Sequence, residues 1–101
     1  RVAGAEANSY LVLSAILSGI HYGLINKLSP TKLRIDNACT DPDPEMPKSI
    51  EKAIGLFEDS KFCIDYYSKE YVTMYADLKR KEIESFRSEI SDIEYKWYLN
   101  L

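Results

Sequence analysis

Few residues in this 101-residue chain are of a type and spacing to do chemistry, and the first of them is Arg1. It stands at the end of a segment that reads as extended, Arg1-Val2-Ala3-Gly4-Ala5-Glu6-Ala7-Asn8, just ahead of a helix. An arginine placed there can present a planar, forked guanidinium to a carboxylate or a phosphate. His21 is the single histidine, and its place inside an apolar helical run reads as a packed helix residue rather than a ligand. Cys39 and Cys63 lack CxxC spacing and a second histidine to complete a zinc site. They read as free thiols in a reducing cytosol, being too few for a disulfide framework. There is no glycine-rich phosphate loop and no nucleophile elbow. Tyr66, Tyr67, Tyr71 and Tyr75 fall within helical reach of one another, which points to packing rather than ligand stacking. Asp36, Asp41, Asp43 and Glu45 invite a calcium-loop reading. Their spacing does not match an EF-hand and no glycine holds the turn position, so a solvated loop is expected.

The elements that must position these residues are helical. Asn8 is a good N-cap for a helix from Ser9 to about Lys27, carrying Tyr10, Leu11, Val12, Leu13, Ile16, Leu17, Ile20, Leu24 and Ile25. Gly19 and Gly23 sit four apart on one face and are expected to admit close approach of another element, since glycine otherwise weakens a helix. Lys27 suits the C-terminal end of the dipole, and Ser29-Pro30 stops the helix. Pro30, Pro42, Pro44 and Pro47 keep residues 29–48 irregular. Ser49 then caps a second helix, with Glu51 in its first turn and Ile50, Ala53, Ile54 and Phe57 on its apolar face. A short helical turn runs from Lys61 to Tyr67. Ser68 caps a longer helix to about Glu89, with Val72, Tyr75, Ala76, Ile83, Phe86 and Ile90 at helical spacing and an Asp77–Lys81 pair on its exposed face. Ser91-Asp92-Ile93-Glu94 has the form of a capping box and opens a last helix through Trp97 and Tyr98. No strand is expected after residue 8.

Composition sets the remaining bounds. With 46% hydrophobic and 29% charged residues there is apolar material for one domain at most, of modest stability on its own. A net charge of −3 excludes nucleic acid as the main partner, which would need a clustered basic surface. The uncharged run from Ala7 to Asn26 is long enough to raise a membrane span, and it contains the Gly19-x-x-x-Gly23 spacing. Ser9, Ser14, Ser18, His21 and Asn26 dilute it, so the expectation is no membrane but a helix buried in a larger soluble protein. Arg1 stands alone ahead of that run, so no secretory leader is expected. The lack of an initiator Met makes the chain read as cut from something larger.

The run Arg1-Val2-Ala3-Gly4-Ala5-Glu6-Ala7-Asn8-Ser9-Tyr10-Leu11 resembles the signature near the C-terminus of glutamine synthetases. The resemblance continues through Ile20-His21-Tyr22-Gly23-Leu24-Ile25-Asn26-Lys27-Leu28 and resumes at Met46-Pro47-Lys48-Ser49-Ile50-Glu51-Lys52-Ala53. It ends over residues 78–89 and 94–99, so nearly the whole chain takes part. The resemblance implies an all-α piece forming the C-terminal helical part of an α/β (α+β) catalytic domain. Residues 1–8 would end an active-site strand, 9–28 form a buried helix, 29–48 a loop and 49–101 a helical segment. It further implies an ATP-dependent ligase that phosphorylates the γ-carboxylate of glutamate and lets ammonia or an amine displace phosphate, giving a γ-glutamyl amide. Magnesium or manganese would neutralise the phosphates. Arg1 falls on the family arginine that contacts glutamate or its transferred phosphate. The family's metal-ligand glutamates, one of them just before Arg1, its ATP contacts and its other arginines would lie upstream. The family aspartate is Glu6 here and the family proline is Ser9, which leaves the Asn8 cap in place. The Ala3-Gly4-Ala5 run resembles the branch that acts on polyamines and other amines.

Two readings are open. In one, the chain is the C-terminal helical segment of such a ligase, cytoplasmic and homo-oligomeric. It would be inactive alone, binding neither ATP nor metal, and its partners would be the remainder of the catalytic domain and neighbouring subunits. In the other it is a stand-alone, non-catalytic helical interaction module, supported by the all-helical pattern and the missing catalytic set. The order and spacing of the family blocks favour the first.

Overall fold

The computed structural model of the chain describes residues 3–31, 33, 35, 37 and 43–99. Five helices make up its regular structure: α1 (Ser9–Ile25), α2 (Ile50–Asp59), α3 (Lys61–Tyr67), α4 (Lys69–Ser88) and α5 (Asp92–Tyr98). There is no strand among the described residues, in keeping with an all-α piece. The chain divides into two units, Arg1–Pro42 and Asp43–Leu101.

In the first unit, residues 3–8 are turn and bend, with the Ala7 N–H donating to the Gly4 carbonyl at 3.4 Å. The Asn8 side chain accepts from the N–H groups of Tyr10 (3.0 Å) and Leu11 (3.2 Å), satisfying two of the donors that a helix start leaves open. The other end of α1 comes two residues earlier than the sequence predicts. Lys27 does not continue the helix: it takes a left-handed conformation (φ 50°) just past the cap residue Asn26. Its N–H donates to Leu24 (3.3 Å) while Leu28 N–H reaches back to Gly23 (3.0 Å), the paired bonds of a Schellman cap. The Asn26 amide adds a bond to the Tyr22 carbonyl at 2.8 Å. The helix therefore closes before Ser29-Pro30 can act on it.

No residue of α1 is buried. Leu13, Ile16 and Leu24 are 55%, 54% and 75% exposed. His21, expected to pack, is exposed. A Cβ added at Gly19 or Gly23 would meet nothing within 4 Å, so the close approach expected there is not made by the described residues of the first unit.

In the second unit, α2, α3 and α4 pack on one another. Val72 and Ala76 on α4 and Ile54 on α2 are its buried apolar residues among those described. Single serines join these helices. Ser60 ends α2, and its hydroxyl accepts from Cys63 N–H at 3.2 Å to start α3. Ser68 ends α3, and its hydroxyl accepts from Tyr71 N–H at 3.3 Å to start α4. Ser68 does this at φ 69°, a conformation that disfavours any side chain beyond glycine. The expected apolar face of α4 is covered only in part. Val72 and Ala76 are buried and Ile83 half-buried, whereas Phe86 is 83% exposed and Ile90 lies beyond the helix. The capping box of α5 forms as expected, Ser91 N–H to Glu94 Oε2 at 2.7 Å and Glu94 N–H to Ser91 Oγ at 3.3 Å.

Candidate functional site

Arg1, expected from the sequence to bind a carboxylate or phosphate, lies outside the described residues, as does Val2. Next in the chain, Ala3, Gly4, Ala5 and Ala7 fold against Val12, Leu13 and Ile16 to line a shallow apolar recess at the start of α1. Glu6, the longer acid at the family aspartate position, is exposed on that turn.

The other candidates are dispersed. Cys39 lies outside the described residues. Cys63 is a free, half-buried thiol in the first turn of α3. Of the acidic loop, Asp36 and Asp41 are outside the described residues. Asp43 folds into a local turn, its carboxylate accepting from Glu45 N–H at 2.9 Å and its carbonyl from Met46 N–H at 3.0 Å. Among the described residues no three His, Cys, Asp or Glu side chains come together to hold a metal ion, so a divalent metal does not fit them. No helix among them is long and apolar enough to cross a membrane.

The second unit gathers many functional groups but turns them to packing. Tyr67, Tyr71 and Tyr75 form a ladder with centroids 5.9 Å apart at each step, the second pair stacked. Phe57 of α2 meets Tyr75 edge-on at 5.8 Å. Lys79 Nζ lies 5.4 Å from the Tyr75 centroid and bonds Glu82 at 2.7 Å. These are the geometries of aromatic packing and cation–π contact.

Two ion pairs cross from α4 to α2, and neither was visible in the sequence. Arg80 bonds both oxygens of Glu58, Nη1 to Oε1 at 2.9 Å and Nη2 to Oε2. Arg87 bonds Glu51. Arg80 also takes Asp77 at 3.2 Å, so Asp77 pairs three residues on and not four, with Lys81, as expected. The Arg80 hydrogen bond holds Glu58 below the usual carboxylate range. Glu51 is lowered by its own backbone N–H, then by the Ser49 hydroxyl and Arg87. A general acid at neutral pH needs a carboxyl pushed the other way. These groups fasten α2 and α4 together.

Comparison with known proteins places the chain in a family. The sequence model of the glutamine synthetase catalytic domain matches residues 1–98. The chain belongs to the glutamine synthetase family. It is 36% identical to a glutamate–isopropylamine ligase of Pseudomonas over the whole of this chain and 23% of that protein. It is 32% identical to a gamma-glutamylputrescine synthetase of Escherichia coli, over 98% of this chain and 21% of the relative. It is 31% identical to a glutamine synthetase of Azospirillum brasilense, over 95% of this chain and 22% of the relative. The chain thus spans less than a quarter of the length of these glutamine synthetase relatives. No solved structure matches it significantly. The stretch matched to the family is helical over most of its described length.

Proposed function

We propose that this chain is the helical C-terminal part of the catalytic domain of a glutamate–amine ligase, in which Arg1 binds the γ-carboxylate of glutamate or its phosphate. The observation that carries this reading is the family match from residue 1 to residue 98, which includes the arginine-led run. In the overall reaction ATP transfers its γ-phosphoryl group to glutamate, and an amine nitrogen then attacks the γ-carbonyl carbon. The C–N bond forms, the C–O bond to phosphate breaks, and the amine gives up a proton. Arg1 would act by charge: its guanidinium stays protonated and lies along the oxygens that gain negative charge. Nucleotide and metal binding are assigned to other parts of the catalytic domain.

The amine is proposed to be larger than ammonia. Support comes from the Ala3-Gly4-Ala5 run and from the amines for which two relatives are named, isopropylamine and putrescine. A longer protein carrying this segment would be given glutamate and ATP with ammonia, isopropylamine, putrescine or ethanolamine. Phosphate release and γ-glutamyl amide formation would be measured together. Amide formation with an alkylamine in preference to ammonia is the expected result. ATP turnover without any amide product would overturn the ligase reading. A preference for ammonia would overturn the choice of amine alone.

A further inference from the structure

From Lys61 to Ser88 every residue but Ser68 is helical. Nothing in the sequence asks for a break there, since the stretch holds no glycine and no proline. Yet Ser68 sits at φ 69° and ψ 154°, a backbone region that suits glycine and strains any residue with a Cβ. Its hydroxyl accepts from Tyr71 N–H at 3.3 Å, and its own N–H donates to the Ile64 carbonyl at 3.0 Å, which offsets part of that strain. An unbroken helix would relieve the strain outright. It would give the N–H groups of Lys69, Glu70 and Tyr71 the carbonyls of Asp65, Tyr66 and Tyr67. Ser60 would still cap its start through Cys63 N–H, and the Lys79–Glu82 and Asp77–Arg80 pairs would still support its length. What an unbroken helix cannot keep is α2. At 1.5 Å per residue it would set Ser60 about 30 Å along the axis from Arg80. Glu58 lies two residues before Ser60, and two residues span at most about 7 Å, so it could not reach Arg80. The Glu58–Arg80 clasp and the burial of Ile54 with Val72 and Ala76 therefore belong to the bent form.

We infer that Ser68 is a loaded hinge: the packing of α2 on α4 holds it bent, and release of α2 lets α3 and α4 join into one helix from Lys61 to Ser88. Local sequence favours the straight form and tertiary contact the bent one, so the two forms exclude each other through a single residue. The inference goes beyond the ligase reading and does not rest on it, since every group involved lies within α2, α3 and α4 and their joints.

NMR of the 101-residue chain tests it with an Ile54→Asp, Arg80→Ala double variant, which puts a charge at the buried position of α2 and removes the clasp. Release of α2 is read from loss of the Phe57–Tyr75 ring contact, and joining from the helical contacts of the Tyr66 Hα with the Lys69 amide and of the Tyr67 Hα with the Glu70 amide. The wild type is expected to show the ring contact without the helical ones. The double variant is expected to show the reverse, with helical Cα shifts running without a gap through residue 68. Adding Ser68→Ala or Ser68→Gly to the double variant calibrates the hinge: the joined population should fall about fivefold from Ala to Gly, following helix propensity. Three results would overturn the inference. One is a break kept at residue 68 after the ring contact is lost. Another is loss of helical shifts throughout α3 and α4. The third is a joined population indifferent to alanine or glycine at position 68.

Discussion

Arg80 and Glu58, 22 residues apart, meet fork to fork across the α2–α4 contact. The pair is partly open to water, so its worth depends on pH and salt. The Arg80 hydrogen bond depresses the Glu58 carboxyl, which fixes the sign. Above the ordinary value of 4.5 the contribution is fully present, and it fades as pH falls through the lowered folded-state value. Urea unfolding of the wild type and Glu58→Gln, compared at neutral pH and at about pH 3, should show a larger deficit for the variant at the higher pH. An equal deficit at both pH values would mean that Glu58 stabilises by something other than its charge.

Val72 is the largest fully buried side chain among the described residues. Val72→Ala removes two methyl groups from the contact of α4 with its neighbours. The expected cost is about 2 kcal/mol, combining lost burial with the cavity left behind. Thermal or urea melts followed by far-UV circular dichroism would check it. A cost below about 0.5 kcal/mol, the level of a surface change, would mean that the core has been misplaced.

Ser68 carries two opposed effects. Its hydroxyl caps α4, while its φ of 69° strains any residue with a Cβ. Ser68→Ala keeps the strain and loses the cap, at an expected cost of about 1 kcal/mol. Ser68→Gly loses the cap and relieves the strain, so it should lie close to the wild type. Matched melts of the two variants decide it: the order Gly above Ala is required.

Lys27 is strained without a compensating side-chain cap. Lys27→Gly should favour the closed end of α1 by about 1 kcal/mol. It should slow exchange at the Lys27 and Leu28 amides that close the cap. Faster exchange there would show that the left-handed turn is not what ends α1.

The proposed role of Arg1 yields a kinetic prediction for a full-length ligase. Arg1→Ala should lower kcat sharply, on the order of 100-fold if the guanidinium stabilises transition-state charge, with an unchanged melting profile. Arg1→Lys should recover little, because a point charge cannot reproduce a fork against planar oxygens. Unchanged steady-state kinetics would remove Arg1 from the site.

The helices were legible because their signals are local. Asn8, Ser49, Ser68 and Ser91 announce helix starts by side-chain type alone, and each accepts the expected backbone N–H. The end of α1 was not legible, since a lysine in a left-handed turn has no compositional signature. The clasps Glu58–Arg80 and Glu51–Arg87 were hidden for another reason. They join residues 22 and 36 apart, and only the crossing of α2 and α4 decides which charges meet. Asp77 shows the same limit at short range, where the cross-helix demand on Arg80 draws it to the i+3 partner. The proposed site was legible only as a motif: Arg1 stands out through the family run.

The single serines at positions 60 and 68 leave the three packed helices no slack. With 3.6 residues per turn, one residue inserted into such a joint turns everything downstream by about 100° about the helix axis if the helix is simply extended. For α4 that would carry Val72 and Ala76 out of the interior together and pull Arg80 and Arg87 from their carboxylates in the same movement. The segment from Ile50 to Ser88 is therefore a counted length, in which substitutions are absorbed side chain by side chain but a change in the number of residues is felt by every contact at once.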